Sequence, residues 1–480
     1  MSRRFIVFVA LLLASCSKPT PERQVVDDAA RAMGGESRIQ AVRSLAMEGE
    51  GTNFNLGQDM VPDAATQTFA VTGFRRVLDV AGGRARTEQT RTPNFAYFAG
   101  PAAQKQVQGI DGDTGYNVAA NGTATRVAAA AANDRRAEFY HHPLTLLRAA
   151  LDPAAKLANV RTAGSDRVVD VTTAGGTTLT LTIDSAGLPS SITSKTDQAN
   201  LGDVVITTSF ADYQDVNGLK LPATFKVKTD DFTTAEIRAT KQTLDVDTAD
   251  LAAPAAAASA AAPAPAAPTI AVEQVGKGLW FLGGQSHHSV LAEFSDHLML
   301  IEAPQSEART LAVIAKAREL QPAKPLTKMV MTHHHFDHSA GLRAAISEGL
   351  TVITHAGNRA FVEKMAARPH TVQPDALAKN PKPVTVETVD EEMVIRDSAM
   401  TVNLYHVAGN PHSDTMLMAY FPAQKVVVEV DAFSPGSAVN PYAANLLENI
   451  TKRRLTVDRI VPLHGTIAPF AELKKVSSSS

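Results

Sequence analysis

The apolar positions change rhythm along this chain of 480 residues. Val25–Met33 and Ser37–Ser44 carry helical spacing and are separated by Gly34-Gly35, a helix stop, so two short helices are predicted. From Leu45 to about Asp245 the pattern becomes β-rich. Thr177-Thr178-Leu179-Thr180-Leu181-Thr182-Ile183 alternates strictly, which buries one face of a strand. Ala174-Gly175-Gly176 before it reads as a hairpin turn from Val168-Val169-Asp170-Val171. Val204–Phe210 and Thr224–Lys228 continue the series, and Phe139–Leu151 predicts one helix among the connections. Residues 25–250 thus read as an N-terminal antiparallel β-sheet domain with short helices.

Residues 251–269 interrupt the patterning. They are almost entirely Ala and Pro, with little side chain to bury and prolines that break long helices. A semi-rigid spacer between two domains is expected. Beyond it, strand-like runs Ala271–Val275, Leu279–Leu282, Val290–Phe294, His297–Ile301, Leu326–Met331 and Thr351–Thr354 surround a helical stretch, Thr310–Leu320. The fold class is therefore α+β with two domains, the second over 270–475; the chain exceeds the size at which one core keeps growing.

The candidate chemistry follows the run Leu326–Met331. Thr332-His333-His334-His335-Phe336-Asp337-His338-Ser339-Ala340-Gly341 reads H-x-H-x-D-H, and Leu342–Ile346 resumes helical spacing. The motif occupies a strand-to-helix loop, where α/β folds place chemistry. In chain that is still extended, residues two apart point the same way. His333, His335 and Asp337 converge, His334 points elsewhere, and His338 follows on the turn. Neutral imidazole and carboxylate are ordinary ligands for zinc and similar ions. One loop cannot complete such a site, so other loops must contribute. Three strand-like runs end suitably: Val402–Val407 leads to His412, Lys425–Val430 to Asp431, and Arg459–Leu463 to His464-Gly465.

H-x-H-x-D-H followed by a single His, a strand-end Asp and a late His-Gly resembles the metallo-β-lactamase superfamily over about residues 270–475. The resemblance implies an αββα sandwich, two sheets between outer helices, with metals at one edge. It implies His333, His335 and His412 as ligands of a first metal and Asp337, His338 and His464 of a second, bridged by Asp431. Two divalent ions are implied, zinc foremost, with iron or manganese also suited to the oxygen-rich second position. A metal-bridging hydroxide would then hydrolyse a small carbonyl substrate: ester, lactone, thioester or lactam. Asp337 is the candidate catalytic residue among the ligands. Glu302 stands where the family often has Asp, implying the same loop-holding role with a longer arm, and Ala340-Gly341 replaces the usual Gly-Gly. The early loop Gly283–Ser289 brings in His287 and His288, candidates for touching substrate or supporting the ligands. His355, His370 and His406 read as structural. Alternatives are a mononuclear iron oxygenase of the same superfamily, a true β-lactamase (disfavoured by Asp431), and a ligand-binding envelope lipoprotein.

Composition sharpens this picture. Lys+Arg 46 against Asp+Glu 49 gives a net charge of −3, which argues against a nucleic-acid partner. Of 14 histidines only His141 and His142 precede residue 280, so the chemistry is concentrated in the second half. The adjacent pair His141-His142 is expected to serve surface or packing roles. Met1-Ser2-Arg3-Arg4, the apolar run Phe5–Leu13 and Leu13-Ala14-Ser15-Cys16 read as a secretory signal whose end resembles the lipobox of bacterial lipoproteins. The expectation is a signal peptide over 1–16, lipidation of Cys16, a tether over 17–24, and anchoring to the periplasmic side of the outer membrane. Cys16 is the single cysteine, so stability rests on cores and metal rather than disulfides. Asp111–Tyr116 and Phe210–Pro222 resemble segments of periplasmic lipoprotein-carrier-like domains, implying a curved antiparallel sheet with an apolar groove. Asp111 and Asp113 lack the further ligands a calcium site needs.

Overall fold

The computed structural model describes residues 18–95, 102–437 and 439–477. The expected signal segment 1–16, with Cys16, lies outside the described residues. Among those described, no helix is long and apolar enough to cross a membrane.

The first domain is a 13-stranded antiparallel sheet. Each sequential strand pairs with its neighbour, running outward to two edges at Ala124–Arg126 and Lys156–Ala163. The two halves join where the first strand, Ser44–Phe54, pairs with the last, Phe232–Leu244, in the register Leu45↔Leu244. The alternating segment behaves as its pattern demands. In strand Thr178–Ile183, Leu179, Leu181 and Ile183 are buried, and the turn closes with Gly176 N donating to Thr173 O. Helices Pro21–Ala32, Glu36–Ala41, Ala129–Phe139 and Pro143–Leu151 lay Val26, Ala29, Ile39, Phe139 and Leu147 into one core with Leu45, Val169, Leu181 and Ile192 of the sheet.

Three local expectations are corrected. The helix expected from Val25 begins at Pro21, inside the expected tether, because the Thr20 hydroxyl caps Arg23 N and proline suits the first helical turn. The single helix expected over Phe139–Leu151 is two helices. Pro143 disfavours helical geometry at the preceding residue, and His142 is accordingly extended, with its ring capping Leu144 N. The Ala/Pro segment is partly docked rather than free. Its short helix Ala255–Ser259 buries Ala257 completely, Asp111 accepts from Ala253 N, and Arg126 donates to Ala260 O.

The second domain pairs a 7-stranded with a 6-stranded sheet. Val290, Ile301, Val330 and Ile353 of the former face Val402, Leu404, Val427 and Ile460 of the latter in one core. Helix Glu307–Leu320 covers the outside of the first sheet through Val313, Ile314 and Ala317, packed with Leu300 and Met329. Helices Ala443–Lys452 and Phe470–Ser477 cover the second through Leu446, Ile450 and Leu473. Strands covered on both faces have no polar side, which is why Leu298–Ile301 and Val426–Glu429 are buried at every position. Where neighbouring strands run parallel, Leu298–Ile301 with Leu326–Val330 and Val426–Glu429 with Arg459–Pro462, their C-terminal ends open at one edge. The histidine motif, Asp431 and His464 all follow those ends.

Candidate metal centre

Residues 332–338 leave strand Leu326–Val330 extended, then enter the one-turn helix Phe336–Ser339. Glu302, fully buried at the end of the neighbouring strand, fixes this loop. Its Oε1 accepts from Thr332 N (2.8 Å) and Thr332 Oγ1 (2.6 Å), and its Oε2 lies 2.9 Å from His338 Nδ1. The longer arm reaches both ends of the motif. It is held in the left-handed region (φ +73), an uncommon conformation for a non-glycine residue.

Two groups of donor atoms result, each with all atoms within 4.8 Å of one another: His333, His335, His412 and Asp431; and His287, Asp337, His338 and His464. Asp431 lies between them. Its Oδ2 stands 3.3 Å from His333 Nε2, 3.0 Å from His412 Nε2 and 3.0 Å from His338 Nε2, and its Oδ1 stands 3.2 Å from His464 Nε2. It turns out of strand Val426–Glu429 at φ +54, which aspartate tolerates better than most residues. Asp337 Oδ2 lies 3.7 Å from His338 Nε2 and 3.8 Å from His464 Nε2.

The donor set fits a divalent ion. Two ligands about 2 Å from one tetrahedral ion stand roughly 3.3 Å apart, the spacing found around Asp431. His335 Nδ1 is buried with no hydrogen-bond partner among the described residues; His333 Nε2, despite its proximity to Asp431, lacks hydrogen-bond geometry. Burial holds His333 down at about 3 and His464 at about 4, and burial with repulsion from His333 and His412 holds His335 well below its ordinary value. These rings are neutral at pH 7, the form that donates a lone pair. His338 differs. Burial lowers it, but the carboxylates of Asp431 and Glu302 outweigh burial and hold it well above its ordinary value. Asp431 is conversely held low: burial raises it, and His338 and His412 outweigh that. The converging carboxylates therefore call for positive charge here, which a cation supplies.

The structure thus brings together His333, His335, Asp337, His338, His412, Asp431 and His464. It also brings in His287, whose Nε2 lies 3.2 Å from Asp337 Oδ2 and whose ring centroid is 3.7 Å from that of His464. His288 goes elsewhere: its Nδ1 accepts from Gly284 N and its ring packs on Phe281, so it shapes the loop. His334 turns away to Thr415 and Phe361, and His406 pairs with His355 away from both groups.

Sequence reasoning missed one contributor. The connection of residues 55–67 in the first domain reaches the centre. Gln58 Nε2 donates to Asp337 Oδ1 (2.8 Å), and Asp59 O lies 2.9 Å from His335 Nε2. The available signal was length, since this link between paired strands far exceeds the usual hairpin loop of about 2–5 residues.

Residues 282–462 match the family model of the metallo-beta-lactamase superfamily. The chain carries a metallo-beta-lactamase superfamily domain in its C-terminal part, behind a large N-terminal antiparallel sheet. No curated protein matches the chain significantly. Among solved structures, it is similar to a metallo-beta-lactamase from Pontibacter korlensis (17% identity, TM-score 0.34, covering 44% of this chain and 98% of that one). It is likewise similar to the metallo-beta-lactamase FIM-1 from Pseudomonas aeruginosa (17%, TM-score 0.34, 44% and 93%) and to the DIM-1 metallo-beta-lactamase (18%, TM-score 0.35, 44% and 96%). Family fold and His/Asp clusters together support divalent metal binding and a metal-dependent hydrolase-type function.

Proposed function

We propose that the second domain is a hydrolase that uses two divalent ions, zinc foremost, to open a carbonyl substrate: an ester, lactone, thioester or lactam. The observation that carries this reading is Asp431, whose two oxygens face both groups of imidazoles at 3.0–3.3 Å. His333, His335 and His412 would hold one ion, Asp337, His338 and His464 the other, and Asp431 both. Ions so placed supply a water acidic enough to deprotonate near neutral pH and an electrophile for a carbonyl oxygen.

The chain's own residues supply orientation. Glu302 accepts from His338 Nδ1, which turns Nε2 toward the centre. Asp337 has the most exposed side chain of the carboxylates there, 39% against 14% for Asp431, and stands at the mouth. It is placed to accept a hydrogen bond from the attacking water and aim it at the substrate. Burial raises its carboxyl, but the contacts with His287 and His338 prevail and hold it well below its ordinary value. His287, packed beside it, is placed to hold Asp337 or to add a ligand.

Export and anchoring through Cys16, at the periplasmic side of the outer membrane, belong to the same proposal and rest on the N-terminal sequence pattern. Cys16→Ser should move the protein from the membrane to the soluble fraction. The test of the chemistry is metal content per chain in wild type and Asp431→Ala. About two ions in wild type with loss in the variant supports the dinuclear hydrolase and directs a screen of esters, thioesters, lactones and lactams. One tightly bound iron replaces it with the oxygenase, and no metal replaces it with a ligand-binding envelope protein.

A further inference from the structure

The strongest unexplained feature is the reach of the first domain into the centre of the second. Residues 55–67 leave strand Ser44–Phe54 and touch two of the proposed ligands directly. Gln58 Nε2 holds one oxygen of Asp337, leaving the other toward His338 and His464. The carbonyl of Asp59 lies 2.9 Å from His335 Nε2. A carbonyl has no proton to give, so the proton sits on Nε2 and the lone pair sits on Nδ1, the buried nitrogen with no hydrogen-bond partner among the described residues.

The loop is built to stay there. Phe336 N donates to Gly57 O (3.1 Å), and Asp414 N donates to Met60 O (2.9 Å), which ties the loop to both the motif and the His412 turn. Gly57 has φ +83, and a Cβ on it would lie 2.3 Å from the Phe336 ring, so no other residue fits this approach. A second segment of the first domain acts on the same turn. Asn200 Nδ2 donates to Ser339 Oγ (2.8 Å), which in turn donates to His335 O (2.9 Å). Further along the interface, Arg368 pairs with Asp230, and Asp203 accepts from Thr371 N and Val372 N.

We infer that the first domain completes the metal centre in cis: Gln58 and the Asp59 carbonyl are positioning groups that set the orientation of Asp337 and the tautomer of His335. The inference rests on reading the centre as a metal site. It gives the first domain a direct part in the centre of the second.

The test compares full-length wild type, Gln58→Ala and Gly57→Val by equilibrium competition for zinc with a chelator, together with visible spectra of the cobalt-loaded proteins. Loss of such supporting contacts costs about 10- to 100-fold in metal affinity. Gln58→Ala is expected to weaken one of two ions by about tenfold and shift the cobalt spectrum, with an unchanged Tm for the metal-stripped protein. Gly57→Val, which drives the loop off Phe336, is expected to weaken both ions. Wild-type affinity and spectra in both variants overturn the inference while leaving the metal centre standing. Absence of metal from wild type overturns the centre itself, and this inference with it. Should Gly57→Val fail to fold, the Gln58→Ala result decides alone.

Discussion

Both domains bury adjacent histidines, and the two sets behave differently. In the first, His141 and His142 are held down by burial at about 4 and about 3. His141 is bonded on both ring nitrogens, to Thr208 Oγ1 and Ser194 Oγ, while His142 caps Leu144 N and stacks on Phe225. Those partners are hydroxyls, a backbone amide and a ring. In the second domain His333, His338, His412 and His464 are drawn around the carboxylate of Asp431. Burial disfavours the charged imidazole in either place, and only nearby carboxylates reverse that, as at His338. Convergence of several lone pairs on shared carboxylates is what turns buried histidines into a candidate metal centre.

The largest expected effect removes that carboxylate. Asp431→Ala should abolish binding of at least one ion and lower kcat/KM by roughly a thousandfold on any substrate found, as for other groups acting as a unit. A variant retaining two ions would place the metals elsewhere and break the comparison. Next comes Glu302→Ala, which leaves buried donors on Thr332 and His338 unpaired. Breaking such a buried charged network costs about 3–5 kcal/mol, measurable as a lower denaturant midpoint in the metal-stripped protein.

Acid sharpens the contrast from the other side. His141 and His142 bind protons near 6.5 when unfolded and only near 4 and 3 when folded. Their contribution is therefore complete above pH 6.5 and is lost as the pH falls toward 4, by up to about 1.4 kcal/mol per pH unit for each ring. His141→Gln should flatten the pH dependence of the denaturant midpoint between pH 6.5 and 4 by about that slope; an unchanged slope would show the ring to be already protonated. The smallest effect belongs to His334, which shares the motif but packs against Phe361. His334→Asn should leave metal stoichiometry intact and change stability by about 1 kcal/mol or less.

The amino-acid sequence alone determined what depends on near neighbours. Strict alternation over Thr177–Ile183 required a half-buried strand, because side chains on a strand alternate between faces. H-x-H-x-D-H placed His333 and His335 together for the same reason, whereas Asp337, expected to converge with them, lies in the helical turn Phe336–Ser339 and joins the other donor group; the remaining candidates announced themselves by ending β-branched runs. The break at His142-Pro143 was equally local, and the proline beside it was the signal for it. Tertiary structure decided the rest. Nothing near Ala257 distinguishes it from the exposed alanines around it until it meets the first domain. His287 and His288 are indistinguishable as neighbours, yet one faces Asp337 and the other Phe281. Gln58 and Asp59 sit in an ordinary polar connection, and only the docking of one domain on the other carries them to Asp337 and His335. A contact between positions 279 residues apart has no periodicity and no local propensity, so it exists only once both cores have formed.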